Sequence, residues 1–154
     1  MSFEEQTVEA EVRQRRLAVL ACAACEDLVR LWTLLGFDPA FDLLRGPETG
    51  LVMLRGRIGG GGAPFNFGEA TVTRATVRLK NGAVGHAMVL GRDTVHARLA
   101  AVVDSAAQVD GMAARVERDL LVPLAALQAE NDDKRAAETA ATRVNFFTMA
   151  RGDD

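Results

Sequence analysis

The stretch Phe65-Asn66-Phe67-Gly68-Glu69-Ala70-Thr71-Val72-Thr73-Arg74-Ala75-Thr76-Val77-Arg78-Leu79-Lys80-Asn81-Gly82-Ala83-Val84-Gly85-His86-Ala87-Met88-Val89-Leu90 decides how this chain folds. Asn81-Gly82 is the two-residue sequence that tight hairpins favour, because both central positions then take positive φ. Before it, Phe65, Phe67, Ala75, Val77 and Leu79 share one parity, and Asn66, Arg74, Thr76 and Arg78 share the other, with Val72 the exception. Successive side chains of a strand point to opposite faces, so the pattern predicts a sheet with one dry and one polar face. After the bend, His86 shares parity with Val84, Met88 and Leu90, which predicts a core-facing imidazole.

Upstream, Phe41 to Arg45 and Leu51 to Ile58 read as two further strands, with Pro47-Glu48-Thr49-Gly50 as a tight connection. The expectation is a four-stranded antiparallel meander. Downstream, Asp93 or Thr94 caps a helix whose stripe of Val95, Leu99, Val102, Val103 and Ala106 covers the dry face. Met112 to Leu121 is helical. Pro123 then starts a last helix running towards Ala141, since proline is tolerated in a first turn and not in an interior. At the other end, Leu17, Leu20, Ala21 and Ala24 form one helix face, and Leu28, Leu31, Trp32 and Leu35 form the next. Gly36 follows where a helix end needs a left-handed residue. The class is therefore α+β: an N-terminal helical hairpin, a sheet with helices on one face, then C-terminal helices and an extended tail. Residues 1–154 make a single domain, with 1–10 a flexible arm.

Composition narrows the function. The chain has 154 residues, 49% hydrophobic and 25% charged, which is near the globular average and favours neither disorder nor a membrane class. A net charge of -3 supplies no field to attract nucleic acid. No apolar run approaches the ~18 residues of a membrane span, and the N-terminus lacks a signal-peptide core, so the expected compartment is the cytoplasm. Two cysteines cannot build a disulfide framework. Cys22-Ala23-Ala24-Cys25 has the spacing of half a metal or redox site that His86 and His96 would complete. Its place at the join of two helices favours buried small residues instead, and no metal site is expected.

The residues that could carry chemistry are mostly arginines. Gly59, Gly60, Gly61 and Gly62 follow Arg55 and Arg57, a combination able to cradle phosphate oxygens with backbone N–H groups and guanidiniums. The loop precedes a strand and lacks a Lys-Ser/Thr ending, so it is not a P-loop. A hairpin loop that orders on assembly is the preferred reading. Arg74 and Arg78 project from the polar face and Arg92 precedes a helix N-terminus, positions suited to an anion or a partner carboxylate as well as to plain solvent. The tail holds Arg143, Phe146, Phe147, Met149 and Arg151. Two adjacent phenylalanines at a terminus need burial, and a neighbouring chain would supply it. No catalytic residue is assigned.

The segments 47–60 and 65–74, then Gly91-Arg92-Asp93 with His96-Ala97, and finally Arg143-Val144-Asn145-Phe146-Phe147-Thr148-Met149 with Arg151-Gly152, resemble the PhnG family, the G subunit of the bacterial carbon-phosphorus lyase core complex. Asn145 and Gly61 depart from that family's pattern, which commonly has Asp and Thr there. The resemblance implies a cytoplasmic subunit of an assembly with the I, H and J subunits, aided by the L protein, in phosphonate breakdown. It implies that the complex displaces adenine from MgATP with an alkylphosphonate to give a ribose 1-alkylphosphonate 5-triphosphate, chiefly on the I subunit. MgATP is then a substrate of the complex, and this chain alone binds no cofactor. A free-standing phosphate-binding protein or small enzyme using the Arg/Gly loop is the alternative.

Overall fold

The computed structural model describes residues 3–142. Its elements run α1 (Phe3–Cys22), α2 (Cys25–Leu35), β1 (Phe41–Arg57), β2 (Pro64–Leu79), β3 (Val84–Leu90), α3 (Thr94–Ala106), α4 (Ala113–Val116) and α5 (Val122–Ala141). The class is α+β as expected, but the sheet has three strands in the order β1-β2-β3, all antiparallel, rather than four.

The missing boundary is at Gly46-Pro47. Pairing runs Arg45 to Thr76 and resumes Glu48 to Arg74, so three steps on β1 oppose two on β2. The supposed tight connection is a bulge inside one 17-residue strand. Turn residues and bulge residues look alike in sequence because both need special backbone angles. Gly46 has φ 61, and a Cβ there would stand 2.5 Å from Glu48 N and 2.7 Å from Arg74 O. Only glycine lets the strand continue.

A second bulge corrects the face assignment. Gly56 pairs Phe65 and Arg55 pairs Asn66, but Leu54 pairs Gly68, leaving Phe67 as the extra residue. An inserted residue reverses the alternation beyond it. Phe65 therefore shares a face with Leu54 and Val52, not with Ala75 and Val77, and the Phe67 ring lies 3.1 Å from where a Gly56 Cβ would be. Both phenylalanines are exposed, at 43% and 59%.

The β2–β3 bend differs in detail as well. Gly82 has φ 94, but among the described residues no non-glycine residue has positive φ. Gly82 N–H donates to Leu79 C=O, and the Asn81 side chain accepts from Ala83 N–H. This is a wider turn with glycine alone in the left-handed position.

Beyond the bend, Gly85, Ala87 and Val89 face the core, and His86, Met88 and Leu90 face outward. The reason is helix packing. A Cβ on Gly85 would lie 2.0 Å from Ala101 C=O and 2.6 Å from Ser105 N, so the backbone of α3 rests directly on the strand. The alanines Ala97, Ala100 and Ala101 permit that approach, and they are fully buried, while Val95 of the expected stripe is 48% exposed.

The core joins Val77 and Val89 of the sheet to Val103 of α3, Leu20 of α1, Leu28 of α2, and Val116, Leu120 and Leu124 further on. Gly36 caps α2 in the left-handed conformation, as expected. α1 is helical from Phe3, so residues 3–10 belong to it. Between α4 and α5, Glu117–Leu121 forms a π turn, and Val122 N–H donates to Glu117 C=O. Widening there seats Pro123, which has no N–H to give to the preceding turn. No described helix is long and apolar enough to cross a membrane.

Candidate functional site

Four of the candidate arginines lie along one long hairpin, Arg92 lies in the connection between β3 and α3, and they do not converge. Arg78 pairs Asp42 at one end, and Arg57 pairs Pro64 at the other. The 14 steps of β2 between them span ~45 Å at ~3.3 Å per residue. Arg55, Arg57, Arg74, Arg78 and Arg92 are all exposed. At the tip, Ile58–Gly60 makes a 3₁₀ turn, and Gly59 takes φ 62. Gly62 N–H donates to Ile58 C=O and Arg57 donates to Gly62 C=O at 3.0 Å. One guanidinium offered for phosphate binding thus ties the loop to itself.

One cluster does form on the open sheet face. Glu48 accepts from Arg45 at 2.6 Å and from Arg74 at 2.9 Å. The hydrogen bond from Arg45, and after it that from Arg74, hold the Glu48 carboxyl below the usual range. Two guanidiniums share one carboxylate, so the cluster keeps a net positive charge. Beside it Thr76 and His86 Nδ1 are 3.2 Å apart. His86 is thus an exposed face residue, not a core imidazole, and the buried histidine is His96, whose Nε2 is 2.8 Å from Leu20 C=O. Arg45 and Glu48 escaped the sequence reading because the bulge that brings them opposite Arg74 was taken for a turn.

A second cluster was also missed. Asp104 is fully buried, yet both its oxygens are engaged by Arg13 at 2.7 Å and Arg16 at 3.0 Å, and it accepts His86 N–H at 3.0 Å. Among the described side chains no buried polar atom lacks a partner. A carboxylate held so fully pins α1 to α3 and to the edge of β3, which is a structural task. Its only sequence signal is an acid within an apolar helix.

The cysteines are not the buried pair expected: Cys22 is exposed and Cys25 partly so. Burial, then a hydrogen bond to Asp93, raises the Cys25 thiol. Asp93 caps α3 by accepting His96 N–H at 2.8 Å. That bond is the first cause of its lowered carboxyl. Among the described residues no three His, Cys, Asp or Glu side chains gather to hold a metal.

One exposed surface of the described residues is apolar. The helices cover only the part of the sheet near β3, and beyond it the β1–β2 hairpin exposes Leu51 at 64%, Met53 at 53% and Ile58 at 76%, besides Phe65 and Phe67. Leu51 and Met53 alternate with Val52 and Leu54, so both faces of the arm present large apolar groups. A 460 Å³ groove separates α1 from the open sheet face, walled by Leu17, Ala18 and Ala21 and by Arg74, His86 and Met88. The expectations placed on the tail residues 143–154 lie outside the described residues.

Residues 11–152 match the profile of the family described as phosphonate metabolism protein PhnG. A relative from Rhizobium meliloti (strain 1021), the alpha-D-ribose 1-methylphosphonate 5-triphosphate synthase subunit PhnG, is 53% identical over 156 residues, covering 100% of this chain and 99% of the relative.

Proposed function

The chain belongs to the PhnG family of phosphonate-metabolism proteins, and from that premise we propose that it is a subunit of the enzyme complex that makes alpha-D-ribose 1-methylphosphonate 5-triphosphate. In that reaction a phosphonate oxygen bonds to the ribose carbon of MgATP, the carbon–nitrogen bond to adenine breaks, and adenine leaves with a proton. The I subunit carries this chemistry, the H and J subunits complete the core, and the L protein assists. MgATP is a substrate of the complex, this chain by itself holds no cofactor, and the assembly works in the cytoplasm.

The observation that carries this reading is the projecting hairpin, whose exposed apolar residues lie on both faces. An arm of that kind is normally buried by another polypeptide. Arg55, Arg57, the glycines 59–62, Arg74 and Arg78 act along it as partner contacts, the glycine loop ordering on assembly, Arg92 adds a contact between β3 and α3, and Arg143, Phe146, Phe147, Met149 and Arg151 add another from the tail.

Co-expression with the I, H and J subunits tests the reading. The chain is expected to co-purify with them in equal stoichiometry, and the isolated chain is expected to give no heat in calorimetry with millimolar MgATP and methylphosphonate. Heat from the isolated chain would favour the free-standing phosphate-binding alternative. A chain ending at Thr142 that binds the I subunit as well as the full chain removes the role of the tail.

A further inference from the structure

We propose that the groove between α1 and the open sheet face binds a small organic anion, one that joins a phosphoryl head to an apolar body of about four carbons or more. A phosphonate and a phosphate monoester share that head. The site assigns no step of the synthase reaction to this chain, and it stands apart from the reading of the chain as a subunit.

The head is selected by the way two arginines are held. Glu48 accepts from Arg45 at 2.6 Å and from Arg74 at 2.9 Å, in both cases from Nε. The terminal nitrogens of both guanidiniums therefore have no partner among the described residues. A guanidinium held in this way offers them as a planar fork to an anion. Arg45 and Arg74 both line the groove, whereas Glu48 does not, so the carboxylate orders the pair without walling the space an anion would take. Thr76 and His86 line the same groove. A Thr76 hydroxyl that donates to His86 Nδ1 leaves the ring proton on Nε2, which has no described partner. Donors from three side chains suit the three oxygens of a phosphoryl group better than the two of a carboxylate.

The body is selected by the facing wall. Leu17, Ala18, Leu20 and Ala21 of α1 supply apolar side chains, and Met88, 54% exposed, adds another from β3. The groove holds 460 Å³. Small-molecule sites commonly span ~300–1,000 Å³ and are mostly apolar, with a few placed polar groups. Inorganic phosphate would leave the α1 wall wet, and an uncharged apolar molecule would leave the forks unmatched. The two arginine side chains are 53% and 47% exposed. Water therefore screens them, and the apolar wall has to supply part of the affinity.

Calorimetry on the full chain with butyl phosphate, butylphosphonate, pentanoate, butanol and inorganic phosphate tests the site, with NMR shifts read alongside. Butyl phosphate or butylphosphonate should bind with a Kd of ~1 mM or below, at least ~10-fold tighter than pentanoate or inorganic phosphate. The tighter of the two names the head that the site takes. Shifts should centre on Thr76, His86 and Met88, while methylphosphonate and MgATP, which lack a matching apolar body, should give no heat. Arg74→Met keeps the stem and removes the fork, and should weaken binding ~10-fold or more. Ala18→Phe, at an exposed helix position, fills the groove and should do the same. Lys134→Met, on α5 and outside the groove, should leave affinity within ~2-fold. Absence of binding by both butyl ligands at ~10 mM would overturn the proposal. Inorganic phosphate binding as tightly as they do would overturn it too, as would shifts centred on residues 55–62 or full affinity in Ala18→Phe. Should Arg74→Met not fold, Ala18→Phe and the ligand series still decide. None of these results bears on co-purification with the other subunits, so the site and the functional reading fail separately.

Discussion

The two halves of the β1–β2 hairpin obey different rules although the same two strands form them. Near β3, Thr73, Ala75, Val77 and Leu79 are buried beneath α3, and the residue types there are small or branched. Past the pairing of Gly50 with Val72 no described helix lies above the sheet, and Leu51, Met53, Phe65 and Phe67 are exposed among the described residues. The covered half carries the stability of the fold, because burial contributes only where water is excluded on folding. The projecting half leaves large apolar side chains uncovered by the described residues, and these add little burial to the described fold. The proposed assembly assigns that surface to association.

Substitutions can break or sharpen the contrast. Asp104→Ala should have the largest effect, a loss of about 3–5 kcal/mol in a urea titration, because it leaves Arg13 and Arg16 without the carboxylate they enclose. Gly85→Ala should follow at about 3 kcal/mol, since the new methyl meets backbone atoms of α3 rather than a side chain that can turn away. Asp93→Ala removes the α3 cap and should cost about 1 kcal/mol.

The paired change Phe65→Ser with Phe67→Ser belongs to the other half, and its stability cost should stay near ~0.5 kcal/mol. Smallest of all is an effect of pH. The Glu48 carboxyl is depressed below its ordinary value of 4.5 by Arg45 and Arg74. Its contribution is therefore complete above that value and disappears as pH falls through the lower folded value. Glu48→Gln should flatten the acid limb of a melting-temperature profile slightly and leave the profile near pH 7 almost unchanged.

Features set by neighbouring residues were readable in advance. Gly36 ends α2 and Asp93 begins α3 because each acts within a turn of its own helix. Features set by pairing were not. Pro47 reads as a turn until Glu48 is seen opposite Arg74, and Phe65 reads as core until Phe67 is seen to lack a partner. His86 misled for a related reason: Gly85 and Ala87 look too small for a core face, yet their smallness is what admits the backbone of α3. The arginines were all visible as residues, but parity along a strand says nothing of separation, and a 16-residue β2 keeps them apart. The cluster of Arg45, Glu48 and Arg74 needed the bulge before it could be seen.

The most direct measurement of the central claim is the stoichiometry of the Phe65→Ser, Phe67→Ser chain in complexes co-expressed with the I, H and J subunits, set beside its melting temperature in isolation. The expected result is a chain that melts like the unaltered protein and yet drops out of the complex. A variant that remains at full stoichiometry would contradict the account, because the exposed hairpin would then not be the surface on which assembly depends.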